Sequence, residues 1–438
     1  MRARPIMLAV LLAQAAGWAI PLMLPAQGVD TIPLVTLPAA RRRAAAVDPD
    51  AVAARGGVTT AAWERRSALA DLLTPTLTAA TSYVRLSDPF FNFGTGEVSP
   101  TAASATLEAR YTVLGAAKLA EHRRARASLA TAEAGEAVAR FRTALATDAA
   151  YYAVLAETEL SRVARDRLRR ANEQLGVSRV RVQAGETIAT DSLQLMLEVL
   201  RARFAVLQRD SALVVARLRL GRQIGLKGPA DAAPLDTTAP PPLPITLAAA
   251  VAELRTRGPE LEAARAAERL AGAALASERQ QYLPEITLSG TLGAFDAEFF
   301  PSALQRNQLA VTVSWPFYDA GRRELSIARA RVERDNARAE REDRERATAE
   351  EMAQAYNGYG TARAGIELTL VGVAASTENY RVQGARYREG ASTILDLLEA
   401  QVDLSGAEAA LVQARHQARL ALAQIEALLG RRLFETGN

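Results

Sequence analysis

The chain has 438 residues, of which 49% are hydrophobic, 5% aromatic and 23% charged, with a mean hydropathy of -0.03 and a formal net charge of +4. That length allows two or three ordinary domains with buried cores, and the near-zero hydropathy excludes both a bundle of membrane helices and a disordered polyelectrolyte. With no cysteine there can be no disulfide, thiolate metal site, Cys nucleophile or lipid-modified N-terminal Cys, and with Lys118 and Lys227 as the only lysines nearly all positive charge is non-titrating arginine.

Arg2 and Arg4 precede an apolar run from Ile6 to Leu24 that ends in small residues before Gln27 and Asp30. This three-part layout predicts a secretory signal peptide over residues 1–26, cleaved near Ala26. Gly17, Pro21 and Pro25 interrupt the run and count against a transmembrane anchor, which needs about 20 apolar residues. Removing those residues takes away two arginines and no acid, leaving a net charge of +2. A nucleic-acid partner is therefore not expected.

Further along, two segments alternate apolar and polar residues: Thr76 to Leu86 weakly, and Ala105, Leu107, Ala109, Tyr111 and Val113 clearly. No proline occurs from Thr101 to Gly228, and a single glycine-containing break interrupts that tract at Gly185. Proline breaks a helix interior at about 3 kcal/mol, so the tract predicts a long helix, a turn and an antiparallel return. The Pro-rich stretch 229–246 then reads as a linker. Beyond it the same order returns. Ile286, Leu288, Gly290, Leu292 and Ala294 alternate with polar residues, as do Leu309, Val311, Val313, Trp315 and Phe317, and a second proline-free tract to Asn438 breaks at Gly390. The first arms of the two hairpins, read as Ala116 to Gln174 and Arg322 to Tyr380, would each extend about 90 Å.

The chain is thus a tandem repeat, 27–228 and 247–438, each read as helix, two strands and long helical hairpin. Residues 181–225 align without a gap on 386–430, pairing Gly185 with Gly390, Asp191 with Asp396, Leu193 with Leu398, Gln208 with Gln413 and Gly225 with Gly430. Pro49 matches Pro259 and Pro75 matches Pro284 at similar offsets. In the last helix Leu397, Ala400, Leu404, Ala407, Leu411, Ala414, Ala418, Ala421, Ile425 and Leu428 form an apolar heptad seam. The first repeat keeps most of it as Leu195, Val199, Ala202, Val206, Leu213, Ala216 and Leu220, interrupted by Ser192, Arg209 and Gln223. The mixed charges from Arg322 to Glu351 read as a solvated helix face with Glu/Arg pairs three and four residues apart.

Each alternating segment has about the ten residues a tilted strand needs to cross a bilayer, with one face for lipid and one for a lumen. Aromatics collect where membrane interfaces would lie: Tyr83, Phe90, Phe91, Phe93, Phe295, Phe299, Phe300, Trp315 and Tyr318. Four strands cannot close a barrel, and open edges are not tolerated in lipid, so several chains must contribute. Three chains and twelve strands is the simplest symmetric closure. The predicted fold class is mainly α with a small β part: helical hairpins forming a trimeric α-barrel tunnel, and four strands per chain in a shared transmembrane β-barrel.

Tyr387-x-x-Gly390-x-x-x-x-x-Asp396-Leu397-Leu398-Glu399-Ala400, followed by a long Ala/Leu helix ending in Leu428-Leu429-Gly430, resembles the second repeat of the TolC-like outer-membrane efflux family. Trp315-Pro316-Phe317-Tyr318-Asp319-Ala320-Gly321-Arg322 resembles its strand-to-helix junction, whereas Tyr111 to Gly115 lacks the Pro and aromatic of that junction in the first repeat. The resemblance covers about Leu37 to Leu433. It implies a homotrimeric duct in the cell outer membrane whose helices extend through the periplasm, working with a periplasmic membrane-fusion adaptor and an inner-membrane transporter of RND, ABC or MFS type. It places Gly185, Thr190, Tyr387 and Gly390 at the periplasmic tip, as adaptor contacts, and makes Asp191, Asp396 and Glu399 the candidates for the lumen constriction. The missing cysteine separates the chain from lipid-anchored members and leaves the barrel as its membrane attachment.

Physical reasons for those acids exist apart from the resemblance. Three-fold symmetry turns one acid into a ring of three, which repels anions and attracts cations in a narrow passage. Asp191 and Asp396, just after a glycine turn, are equally suited to capping the helix that follows. Catalysis finds no support: His122 and His416 have no second histidine at ligand spacing and are expected at the surface, and neither a phosphate loop nor a nucleophile elbow occurs. No enzyme and no cofactor are expected. Rival readings are a periplasmic coiled-coil adaptor or scaffold without a pore, which would show one hairpin rather than two, and a soluble Ala/Arg-rich coiled-coil binding protein, which needs neither signal peptide nor alternating segments.

Overall fold

The computed structural model describes residues 32–434 except 94, 186–187, 237–239 and 298–302. The signal-peptide reading, along with Phe299 and Phe300, lies outside those residues. In chain order the elements are β1 (Leu34–Val35), α1 (Leu37–Val47), α2 (Pro49–Leu73), β2 (Thr76–Asn92), β3 (Glu97–Leu114), α3 (Ala116–Gln183), α4 (Ala189–Gln223), β4 (Asp231–Ala232), α5 (Leu247–Arg257), α6 (Pro259–Gln280), β5 (Glu285–Asp296), β6 (Leu304–Ser314), α7 (Arg322–Arg388) and α8 (Ile394–Leu429). Two helices therefore precede each strand pair, where one was read from the sequence.

The matched prolines occupy matched places. Pro49 and Pro259 stand in the first turn of α2 and α6, where a missing N–H costs nothing, and Pro75 and Pro284 immediately precede β2 and β5. The long first arms run further than expected, to Gln183 and Arg388, because neither meets a breaker before its terminal glycine; at 68 and 67 residues each is about 100 Å long. Both turns use glycine in the left-handed region, φ +78° at Gly185 and +76° at Gly390, a conformation that costs other residues about 1–2 kcal/mol.

β2, β3, β5 and β6 form one antiparallel sheet in that order. Its register separates the two faces. One row across the sheet is Leu77, Ala109, Gly290 and Leu309, while the adjacent row is Thr78, Glu108, Thr291 and Gln308. Leu77, Leu292, Leu309, Val311 and Val313 are all exposed. The weakly patterned first strand is longer than expected: it continues past a register shift between Arg85 and Phe90, which accommodates Pro89. β6 is displaced toward the N-terminus of its expected span, since Pro316 lacks a donor and the Trp315 indole N–H donates to the Tyr282 carbonyl instead. Phe91 meets Phe93 edge-on at one end of the sheet, Trp315 and Tyr318 stand exposed at the other, and Tyr83 lies within β2 rather than at an end.

The helices pack side by side, α3 on α4 and α7 on α8, with α3 also lying along α2, α6 and α8. The α8 seam turns inward: Leu397, Ala400, Leu404, Ala414, Ala418, Ala421 and Ile425 are buried, as are Leu195, Ala202, Leu213, Ala216 and Leu220 on α4. The polar interruptions of the α4 seam each have a partner: Ser192 with the Ser178 hydroxyl at 3.0 Å, Arg209 with Glu157 at 3.5 Å, and Gln223 donating to Asp48 at 3.2 Å. The charged stretch of α7 pairs across to α6 as well as along itself, Arg341 with Glu268 at 2.7 Å and Arg344 with Glu260 at 3.3 Å. Within the joint between the repeats, β4 pairs in parallel with β1 and encloses a core of Val35, Leu37, Tyr151, Val154, Leu220 and Ile224. Among the described residues no helix is long and apolar enough to cross a membrane.

Candidate functional site at the hairpin tips

The two helical hairpins turn at Gly185 and Gly390, and close to those turns a buried cluster joins them. Leu175 of α3, Leu195 of α4, Tyr387 of α7 and Ile394 and Leu397 of α8 share one apolar core. Tyr387 is 3% exposed, with Arg181 of the first hairpin bound to it twice: the guanidinium lies 5.4 Å from the ring centroid and its Nη1 donates to the Tyr387 carbonyl at 2.7 Å. The Tyr387 hydroxyl donates to Asp191 Oδ2 at 3.4 Å. Burial raises the phenol above its ordinary pKa, so it stays a donor at neutral pH.

The other acids differ in their surroundings. Asp396 completes a capping box with Thr393, accepting the Thr393 N–H at 2.9 Å while the Thr393 hydroxyl accepts the Asp396 N–H at 3.3 Å. Those bonds hold its carboxyl below the usual range, the backbone N–H of Thr393 foremost. Asp191 is the corresponding third residue of α4, whose N-cap residue Ile188 supplies no side-chain cap, and its carboxylate faces Tyr387. Glu399 is exposed, one turn further along α8, and makes no hydrogen bond or ion pair among the described residues. Thr190, Gly185 and Gly390 are exposed at the end of the molecule.

The structure thus brings Tyr387 and Asp191 together, leaves Glu399 facing solvent and assigns Asp396 to its helix start. Sequence reasoning missed Arg181, which aligns with Arg386 in the repeat but reaches a residue 206 positions away. It also missed the polar contacts above the tip. Arg167 pairs with buried Glu198 at 2.6 Å, Arg170 pairs with Glu408 at 3.0 Å, and Gln174 donates to the Tyr380 hydroxyl at 3.4 Å. Both histidines are half-buried rather than at the surface, each with a buried Nδ1 that lacks a hydrogen-bond partner. Among the described residues no group of His, Asp and Glu side chains could hold a metal ion.

Residues 250–431 match the family model described as Outer membrane efflux protein. The chain is 27% identical over 181 residues to outer membrane protein OprJ of Pseudomonas aeruginosa, a match covering 41% of this chain and 38% of that one. It is 25% identical over 270 residues to outer membrane efflux protein BepC of Brucella suis biovar 1, covering 61% and 59% respectively. These matches span less than two thirds of either relative. The fold is similar to the crystal structure of the CmeC outer membrane channel of Campylobacter jejuni, with a TM-score of 0.80 at 15% identity over 92% of this chain and 87% of that one.

Proposed function

We propose that this chain, whose residues 250–431 match the family model described as Outer membrane efflux protein, is a member of that family and the passive outer-membrane duct of a multi-component export system. The observation that carries this reading is the sheet. Its order leaves β2 and β6 with unpaired outer edges, one of its faces is apolar and exposed, and the other is polar. Such a sheet is unstable alone in lipid, whereas joined edge to edge with other copies it forms a closed barrel with a lipid face and a wet lumen. Three copies give twelve strands, and the hairpins would then form the wall of a tunnel beneath.

In that assembly the tip would face a periplasmic adaptor through Gly185, Thr190 and Gly390, with an inner-membrane transporter supplying the energy. Glu399, exposed and without a partner, is the acid best suited to a lumen ring, since Asp396 and Asp191 are already engaged. The presence of two hairpins and two strand pairs supports a duct over a single-hairpin adaptor.

The reading is tested by separating outer from inner membranes, running the protein on unheated gels and recording conductance in planar bilayers. An oligomer in the outer membrane that conducts is the expected outcome. A soluble monomer without conductance would rule the duct out.

A further inference from the structure

On the side of the joint between the repeats, α3, α8 and the segment after β4 line an open-mouthed cavity of about 380 Å³. Tyr152 on its wall lies 36 residues into α3, about 54 Å from the sheet end of that helix, so bilayer lipid does not reach it. Arg415, His416 and Arg419 line one wall; Leu155 and Leu235 line another.

Asp236 acts on Arg419, and Glu157, which pairs with Arg209 at 3.5 Å, acts on His416, so Arg415 is the wall cation without an ion-pair partner among the described residues. The two acids lining the cavity are held from elsewhere, Glu159 by Arg162 at 2.8 Å and Asp231 by Arg217 at 2.6 Å. Arg419 donates to the Asp236 carbonyl at 2.7 Å. Arg415 makes no hydrogen bond or ion pair among the described residues; its Nε is buried and unpartnered, as is the Nδ1 of His416 beside it. Two guanidiniums one helical turn apart repel each other, and burial together with Arg415 lowers the pKa of Arg419. The same desolvation lowers that of His416 and raises that of Tyr152 to about 12. A buried donor without an acceptor costs about 1–3 kcal/mol, so a site of this kind favours a bound anion.

We propose that this cavity binds a small amphipathic oxyanion, its carboxylate or phosphate held by Arg415 and Arg419 and its apolar body laid against Leu155 and Leu235. Planar, forked guanidiniums match either head group with two parallel N–H···O bonds. The cavity volume lies in the range of small-molecule sites, and its mixed lining excludes a bare ion as the best occupant. The exclusion of bilayer lipid rests on the duct reading, whereas oxyanion binding at Arg415 and Arg419 does not.

Calorimetry on the purified full chain tests it, with hexanoate, hexyl phosphate, inorganic phosphate and hexylammonium as probes. Expected is saturable binding of one hexanoate or hexyl phosphate per chain, the tighter of the two identifying the head group, with a rise in Tm. Arg415→Gln, which breaks no contact in the chain, should weaken that binding at least about ten-fold, the loss of a charge-assisted hydrogen bond, and abolish the anion-dependent rise in Tm. Equal binding of hexylammonium, or unchanged binding by Arg415→Gln, would overturn the proposal. Inorganic phosphate binding as tightly as hexyl phosphate would overturn its amphipathic part. No saturable binding, with Arg415→Gln lowering Tm, would mean that a neighbouring subunit's carboxylate fills the cavity, and would likewise overturn it.

Discussion

One tyrosine hydroxyl is the polar link between the second hairpin and Asp191 of the first, while its ring and carbonyl are held by Arg181. These contacts can be separated by substitution. Tyr387→Phe keeps the buried ring and the guanidinium above it and removes the hydroxyl's contacts with Asp191 and Ser178, so stability should fall by about 1 kcal/mol. If the bond to Asp191 holds the tip narrow, the variant should conduct more, or stay open longer, in planar bilayers than the parent. Tyr387→Ala also loses the aromatic packing, at about 3–5 kcal/mol, and serves as the comparison in which the tip itself loosens. Unchanged conductance in Tyr387→Phe would show that the hydroxyl does not set the opening.

Between elements, the most buried charge is Asp148 of α3, whose side chain is 2% exposed. Arg41 of α1 donates to it with two nitrogens, the longer contact at 2.6 Å, and Arg432, beyond the end of α8, approaches at 3.6 Å while bonding Glu426 at 2.6 Å. This one carboxylate thus ties both ends of the described chain to the middle of the longest helix. Asp148→Ala leaves Arg41 half-buried without its counter-charge and should cost about 3 kcal/mol, read as a lower urea midpoint by far-UV circular dichroism. Arg41→Met with Asp148→Leu should recover most of that loss, because the pair's own desolvation penalty disappears with it. None of this network was legible in the sequence. Local periodicity reports which face of a helix is apolar, and so the α8 and α4 seams, both glycine turns and the alternating strands could be read directly. Contacts such as Arg41 with Asp148 or Arg181 with Tyr387 join residues more than a hundred positions apart and leave no local pattern. Strand ends were misplaced for a related reason: alternation continues through Trp315 and Phe317, but hydrogen bonding stops at Ser314 before Pro316.

At the scale of the molecule, α4 carries a second apolar seam that nothing among the described residues covers. Leu193, Leu197, Leu200, Phe204, Leu207, Val214 and Leu218 follow heptad steps and are all exposed, while the first seam of the same helix is buried. A comparable exposed row on α7 includes Leu368, Val371 and Val382. A helix with two seams packs on two sides, and a second copy of the chain is the partner that would cover this seam along its length. Because the two exposed rows lie on different helices, the simplest contact sets α4 of one copy on α7 of the next; such a head-to-tail contact forms a ring when its rotation closes, as the proposed joining of β2 to β6 between copies requires. The joined variant Leu200→Glu with Phe204→Glu should therefore yield monomers that do not conduct, measured by light scattering in detergent and by bilayer recording. Leu368→Glu with Val371→Glu should do the same. If only the α4 variant dissociates, α4 packs on its own counterpart across a two-fold axis; that contact pairs copies without closing a ring, and the twelve-stranded barrel would have to be abandoned.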